Sequence, residues 1–387
     1  MMSLNSTVPP TAQAHAATLA AYTATGVERG RQLDNRGPLR RDESGNVHPD
    51  ILAAYWDKGF YIFEKLVDEA EIALLRDDMQ YLFDHAPIGR GAEYDAQGRP
   101  AFGQQFKRNP YTFVKPLSDP WGGTDLLGGR HPVAMTQPEP ANPATKEVIF
   151  IMQGMCQIMD SGLRLYGHPD LLSIAEAING SDFVPYNDAI FVKPAGLGGA
   201  VAWHQDGVTH WQAPNWDMGI HGFNFQVQLF ACTPANCLWV VPGTHKLGKL
   251  DIKAKVRANG SEYLPDAIPL TCEPGDVTIV NRQLLHGSFA NTSPNLRVSL
   301  TFGFHRRQAV LGAGGALSQA AGEVYDEQRI FERASVIPVA IDARAQFYPS
   351  QSRFEYEPFV GLAGLYGYND ETKATIIHDY NLKDLSI

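Results

Sequence analysis

At Phe183 the hydrophobic rhythm of this 387-residue chain changes. Upstream, apolar residues recur at three-to-four spacing. Downstream they alternate with period two in short runs broken by Pro and Gly, the pattern of strands. Strands are predicted at 184–193, 200–204, 223–231, 237–241, 276–280 and 296–304. Helices followed by a run of short strands suit an antiparallel sandwich or jelly roll with helices packed outside. The predicted fold class is mainly β with flanking helices, around a double-stranded β-helix (jelly-roll, cupin-like) core.

Two strands show which face looks inward. Phe223, Phe225, Val227 and Leu229 share one side of their strand, and Asn224, Gln226 and Gln228 share the other. Likewise Arg297, Ser299, Thr301 and Gly303 oppose Val298, Leu300, Phe302 and Phe304. A polar strand face ordinarily meets water. Here it is read as inward, because the short turn 291–295 ties Arg297 to His286 and brings the two back together.

His286 matters because of the segment Ala202-Trp-His-Gln-Asp-Gly, about eighty residues earlier. His204 and Asp206 are two apart, so on an extended backbone both side chains leave the same face. His286 is the candidate third ligand. Two imidazoles and one carboxylate on a face with open positions form the ligand set of non-haem Fe(II) oxygenases. The chain holds two more H-x-D triplets, His48-Pro49-Asp50 and His168-Pro169-Asp170, each just before a helical pattern. Proline suits a first helical turn and an early carboxylate suits the helix dipole. Those two are read as helix starts.

Upstream, helices are predicted at 51–58, closed by Gly59, and after Asp68 with Ile72, Leu75, Met79, Leu82 and Phe83 on one face. A strand is expected at 60–63, and further helices at 146–165 and 171–178. The methionines of 146–165 are read as core rather than a cofactor box. Between them, residues 85–143 are rich in Gly, Pro and aromatics, as expected of a long irregular segment packed over a site. Residues 1–45 hold few large apolar side chains and are expected to form a flexible or surface-draped N-terminal arm. Such an arm is also compatible with wrapping a second subunit of a homo-oligomer. Residues 46–387 are expected to form one domain: a helical part at 46–182, the β core at 183–307 and a C-terminal extension at 308–387.

A net charge of −10 and the lack of a basic cluster argue against nucleic acid as a partner. No run approaches the roughly 20 apolar residues that cross a bilayer, so no membrane association is expected. Four cysteines without a C-x-x-C pair favour a reducing, cytoplasmic setting and are read as small buried residues.

His204, Asp206 and His286, with an arginine eleven residues after the distal histidine, give a pattern that resembles the phytanoyl-CoA dioxygenase family of Fe(II)/2-oxoglutarate-dependent oxygenases. The resemblance spans most of residues 50–307. It includes Phe-Val-Lys-Pro-Ala-Gly before the H-x-D, then Thr-Pro-Ala-Asn-Cys-Leu-Trp-Val-Val-Pro-Gly-Thr-His-Lys, Glu-Pro-Gly-Asp-Val and Asn-Leu-Arg-Val-Ser-Leu. It implies iron on His204, Asp206 and His286, and 2-oxoglutarate with its far carboxylate on Arg297 and Ser288. A guanidinium fork matches a carboxylate bidentately and stays charged at any working pH. It further implies O2 as co-reactant, succinate and CO2 as products, and hydroxylation of an unactivated carbon. Gln226 stands where the family often has tryptophan, and contact with the cosubstrate and a structural role are both open to it. Lys115 is the candidate for a family lysine that also touches 2-oxoglutarate.

The substrate expected is a small, apolar or ring-containing molecule, since His210, Trp211, Trp216 and His221 follow the H-x-D in a loop-like setting. Lid packing without substrate contact is the other reading of those four. His245 is read as a turn residue and His305 as a possible pocket residue. Two alternatives to hydroxylation stand beside it. The same site fits desaturation or rearrangement of a natural product, and a cupin-like protein that holds metal without turnover has the same triad. Arg297 argues against the last, since a binding module has no need of a carboxylate anchor opposite the metal.

Overall fold

The computed structural model describes residues 9–207, 221–315 and 322–385. Among them are twelve strands, beginning with β1 Arg36–Gly37, β2 Phe60–Phe63, β3 Tyr111–Val114 and β4 Val148–Gln153. The central ones are β5 Val184–Lys193, β6 Val201–His204, β7 Gly222–Gln228 and β8 Leu238–Val241. The last are β9 Ile268–Leu270, β10 Val277–Asn281, β11 Leu285–Ser288 and β12 Arg297–His305. Eight make one sheet in the order β1-β2-β10-β7-β12-β5-β4-β3, and four make the other in the order β6-β11-β8-β9. Pairing is antiparallel throughout except between β1 and β2.

The pleat sorts the side chains into layers. Phe223, Phe225 and Val227 of β7 and Val298, Leu300, Phe302 and Phe304 of β12 all join one core beneath the helices Glu69–Asp84, Pro169–Asn179 and Val336–Phe347. Each such side chain contributes about 2 kcal/mol by leaving water. The opposite face of the large sheet looks toward the small one. Phe60 and Ile62 of β2 meet Trp203, Val240 and Leu285 there in a second core. The polar faces of β7 and β12 turn into the space between the sheets, where Gln226 and Thr301 are direct cross-strand partners.

A bulge sets the middle of this inner face. β12 pairs Phe302 with Asp188 but Phe304 with Pro185, so β5 carries one extra residue there. The bulge lets Tyr186 and Asn187 both line the inter-sheet cavity, where a regular strand would send one of them to the other face.

Both proline-bearing H-x-D triplets begin helices. His48 and His168 each accept the backbone N–H two residues on, from Asp50 and Asp170, and so cap Pro49–Lys58 and Pro169–Asn179.

One expectation is corrected and another gains detail. The predicted helix at 146–165 is instead β4 followed by the short helices Met155–Ile158 and Asp160–Tyr166. Val148, Ile149, Phe150 and Ile151 favour a strand, and Gly154 at φ 79° turns the chain out of it. The N-terminal arm, expected to be flexible or surface-draped, contains the helix Ala12–Arg31, docked on the small sheet. Tyr22 stacks on Trp239 at 4.6 Å between ring centroids and donates to the Leu264 carbonyl at 2.6 Å. Gly26 permits this approach, because a Cβ there would lie 2.7 Å from the Trp239 ring. Few large apolar residues were needed, since Tyr22 also meets Tyr263 and Phe289 edge-on, Leu19 is buried in the second core, and Arg29 donates to the Ala267 carbonyl at 2.6 Å.

The four cysteines are free and buried, and no helix of the described residues is long and apolar enough to cross a membrane.

Candidate metal centre

His204 ends β6 and His286 lies on β11, and the two are direct partners in the antiparallel register. Directly opposed residues on such a pair project side by side. Asp206 follows β6, its N–H bonded to the Arg282 carbonyl at 2.7 Å. Gln205 between them points away. Its amide donates to the Gly248 and Gln283 carbonyls and its oxygen accepts from the Leu250 N–H, which pins the strand end. The ligand atoms of His204, Asp206 and His286 all lie within 4.8 Å of one another, and all three residues are buried.

Both imidazoles are held in one orientation. His204 Nδ1 lies 2.8 Å from the Ala202 carbonyl and His286 Nδ1 2.7 Å from the Leu284 carbonyl. A carbonyl only accepts, so each Nδ1 carries the proton and each Nε2 keeps its lone pair. Burial, with neighbouring imidazoles second for His204, holds it well below the ordinary histidine range, and burial lowers His286 too. Neutral imidazole is the form that binds a metal.

Asp206 is surrounded by donors. Its Oδ1 accepts from Arg130 Nη1 at 2.7 Å and its Oδ2 from Asn224 Nδ2 at 3.2 Å, while Arg282 Nε lies 3.6 Å from Oδ2. Tyr186 donates to the Asn224 oxygen and so fixes the amide with its nitrogen toward Asp206. Burial alone would raise this carboxyl. Arg130, then Arg282 and the two imidazoles, outweigh burial and hold it well below the usual carboxylate range. Two neutral imidazoles and an ionised carboxylate, converging and oriented from behind, fit a divalent metal.

The triad lies on one wall of a cavity of about 170 Å³. At another point of the same cavity, Arg297 and Lys193 face each other across β12 and β5 as direct partners. Two like charges side by side in a buried space are unfavourable without an anion. Lys193 donates to the Gly199 and Phe289 carbonyls at 2.5 and 2.7 Å. Burial first, then Arg297, pulls its ammonium well below the ordinary lysine range. Arg297 donates to Gln226 Oε1 at 3.0 Å and to the Asn236 carbonyl at 3.3 Å. Its Nε, like Thr301 Oγ1, is buried with no partner among the described residues. Ser288 and Gln226 line the same cavity. This corner suits a carboxylate.

Lys115 does not belong here. It is exposed and outside the cavity lining, directly after β3, and its carbonyl accepts from Ser118. Lys193, in the quoted phrase Phe-Val-Lys-Pro, is the lysine brought beside Arg297, and its place at the end of a strand paired with Arg297 was the missed signal. Arg130, Arg282, Asn224 and Tyr186 were also missed as partners of Asp206. Asn224 was legible as a polar-face residue of β7. Arg130 was not, because a loop delivers it. His210, Trp211 and Trp216 lie outside the described residues. His221 is buried, and its carbonyl meets His305 Nδ1 at 2.6 Å, with Arg282 Nη1 2.9 Å from the other His305 nitrogen. His245 is a turn residue whose Nε2 meets the Trp56 carbonyl at 3.0 Å.

Fold and cluster together define a jelly-roll protein with a buried two-histidine, one-carboxylate centre suited to a divalent metal. The sequence matches the phytanoyl-CoA dioxygenase (PhyH) family over residues 55–299, and the chain belongs to that family. Among curated relatives, it is 32% identical over 120 residues to phytanoyl-CoA dioxygenase 1 of Oryza sativa subsp. japonica, 29% of this chain and 41% of that protein. It is 31% identical over 146 residues to the dioxygenase lolE1 of Epichloe uncinata, 35% of this chain and 52% of that one. The chain thus spans about half, or less, of the length of these relatives. Of solved structures, EctD from S. alaskensis with bound Fe aligns at a TM-score of 0.46 and 20% identity, over 70% of this chain and 81% of that one. AviO1 from Streptomyces viridochromogenes Tue57 aligns at 0.44 and 20% identity, over 65% and 91%. At that level the likeness carries no functional information.

Proposed function

We propose that this chain is an Fe(II)- and 2-oxoglutarate-dependent oxygenase that hydroxylates an unactivated carbon of a small, apolar or ring-containing molecule. The observation that carries the reading is a single cavity lined by both the triad and the Arg297–Lys193 pair. A metal-binding module has use for the first but not the second. Membership of a dioxygenase family supports the same reading.

On this reading His204, Asp206 and His286 hold the iron, and Arg297 with Ser288 receives the far carboxylate of 2-oxoglutarate. Gln226 steadies the guanidinium through its own hydrogen bond. Bound iron and 2-oxoglutarate supply the activation of O2, and the cosubstrate leaves as succinate and CO2. The chain's own work is placement. The Ala202 and Leu284 carbonyls keep both Nε2 atoms aimed inward, and Arg130 and Asn224 keep Asp206 ionised and still. Trp121, Ile151 and Phe191 give the cavity an apolar wall that excludes water and receives a hydrocarbon body.

Candidate substrates screened by succinate release, then turned over in isotopically labelled O2, test the outcome. The expected product carries one labelled oxygen. A product merely short of two hydrogens would assign desaturation instead.

A further inference from the structure

Among the described residues, charge in the cavity is out of balance. Among the described residues its lining holds one acidic side chain, Asp206, against Arg130, Lys193, Arg282 and Arg297. On the function proposed above, on which this inference rests, the divalent metal and the dianionic cosubstrate cancel each other, so Arg297, which holds the cosubstrate's far end, still adds to the positive side. Of the two arginines beside Asp206, Arg130 is then left facing a carboxylate already committed to the metal. Buried surplus charge is unfavourable unless something compensates it.

The two arginines are held differently. Arg282 lies 3.6 Å from Asp206 Oδ2, meets His305 at 2.9 Å and covers the Tyr186 ring at 4.2 Å. Arg130 gives Nη1 to Asp206, while its Nε is buried without a partner among the described residues. It comes from the loop after Leu127, Gly128 and Gly129, all left-handed at φ 51°, 70° and 69°. Leucine takes that conformation only where the surroundings impose it. The loop places the guanidinium between the metal cavity and an adjoining one of about 410 Å³, lined also by Gln205, Leu250 and Lys253. Among the described residues, Arg130 alone lines both cavities, with Asp206's neighbour Gln205 on one side and the triad on the other.

We propose that the molecule oxidised carries a carboxylate, received by Arg130, with its apolar body against Trp121 and Phe191. A single guanidinium with an unmet Nε suits one planar, singly charged anion, which it can grip through two parallel hydrogen bonds. The carboxylate would anchor the substrate at the triad's edge and leave its hydrocarbon part over the metal. Arg130 on this account is a specificity residue for the substrate and a positioning residue for Asp206.

The test uses the full chain loaded with Fe(II) and 2-oxoglutarate without O2, and measures binding of phenylacetate, phenylacetamide and benzyl phosphate by calorimetry. The visible charge-transfer band of the loaded site checks that each preparation is assembled. Phenylacetate is expected to bind at least roughly tenfold more tightly than the amide, the scale of a charge-assisted bond. Arg130→Gln should erase that preference and Arg130→Lys should retain part of it. Equal binding of acid and amide, including no binding of either, overturns the proposal, as does a preference undiminished in Arg130→Gln. Tighter binding of the phosphate overturns the carboxylate assignment. A band without acid preference removes this inference alone, whereas no band in the unsubstituted protein removes the proposed function with it.

Discussion

His204 and His286 stand directly opposite each other on β6 and β11, with ring centroids 4.0 Å apart. The metal site is therefore a property of strand register. A slip of one residue would turn either histidine to the other face of the small sheet. The turn Asn281–Leu284 and the Gln205 clasp hold that register from both sides, through the Leu284 N–H bond to Asn281 and the Gln205 bond to Gln283.

The ligands should differ in what their loss does to the fold. His286→Ala removes a neutral ring and should abolish metal binding with little change in stability. Asp206→Ala leaves Arg130 and Arg282 without their carboxylate, and breaking a buried pair this way costs about 3–5 kcal/mol. Denaturant unfolding of the metal-free variants should show that gap. Equal stability would mean that the two arginines do not depend on Asp206.

Arg297→Gln should weaken 2-oxoglutarate binding roughly tenfold to a hundredfold, the range of a charge-assisted bond. Metal affinity should change by less than about twofold, because Arg297 touches no triad residue. Equilibrium titrations of each ligand check this, and parallel loss of both affinities would point to a collapsed cavity.

Much of this site was legible in the sequence, and the reason is periodicity. Arg297 and Gln226 sit on the polar faces that alternation assigned to β12 and β7, and the H-x-D rule placed His204 and Asp206 on one face. Lys193 sits on β5 opposite Arg297, but that pairing joins segments a hundred residues apart. Alternation gives a face, not a partner, so it does not single out Lys193 over the exposed Lys115 that the family resemblance suggested. Arg130 was invisible for a related reason: a loop with three left-handed residues has no period to read. The N-terminal helix was missed because its docking rests on particular residues, Tyr22 and Gly26 among them, which composition does not weigh.

Residues 12–31 should behave as part of the folded body. Gly26→Val would drive a branched side chain into the Trp239 ring and should destabilise the protein by about 1–3 kcal/mol. Limited proteolysis should spare this helix in the unsubstituted chain and cut within it in the variant. Cleavage in both would mean the helix is not docked in solution.

His168 should make the protein acid-sensitive. Burial, with Arg344 second, pulls its imidazole down to about 3, and Glu71, 4.0 Å away, is taken by the Arg344 fork. Below the ordinary histidine value near 6.5 the unfolded chain takes a proton that the folded chain refuses. Stability is thus present above about pH 6.5 and lost at up to roughly 1.4 kcal/mol per pH unit as pH falls toward 3. His168→Asn keeps a capping side chain without the titration. Urea unfolding from pH 7 to 4 should show a shallower loss in the variant, and identical slopes would remove His168 as the cause.

The central claim is that one buried cavity takes Fe(II) on His204, Asp206 and His286 and 2-oxoglutarate against Arg297. An anaerobic titration of the purified protein with Fe(II) and then 2-oxoglutarate, following visible absorption, tests it without a substrate. The account predicts a metal-to-ligand charge-transfer band that needs both components and is absent in His204→Ala. Metal binding with no band when 2-oxoglutarate is added would contradict it and leave a metal-binding protein without this chemistry.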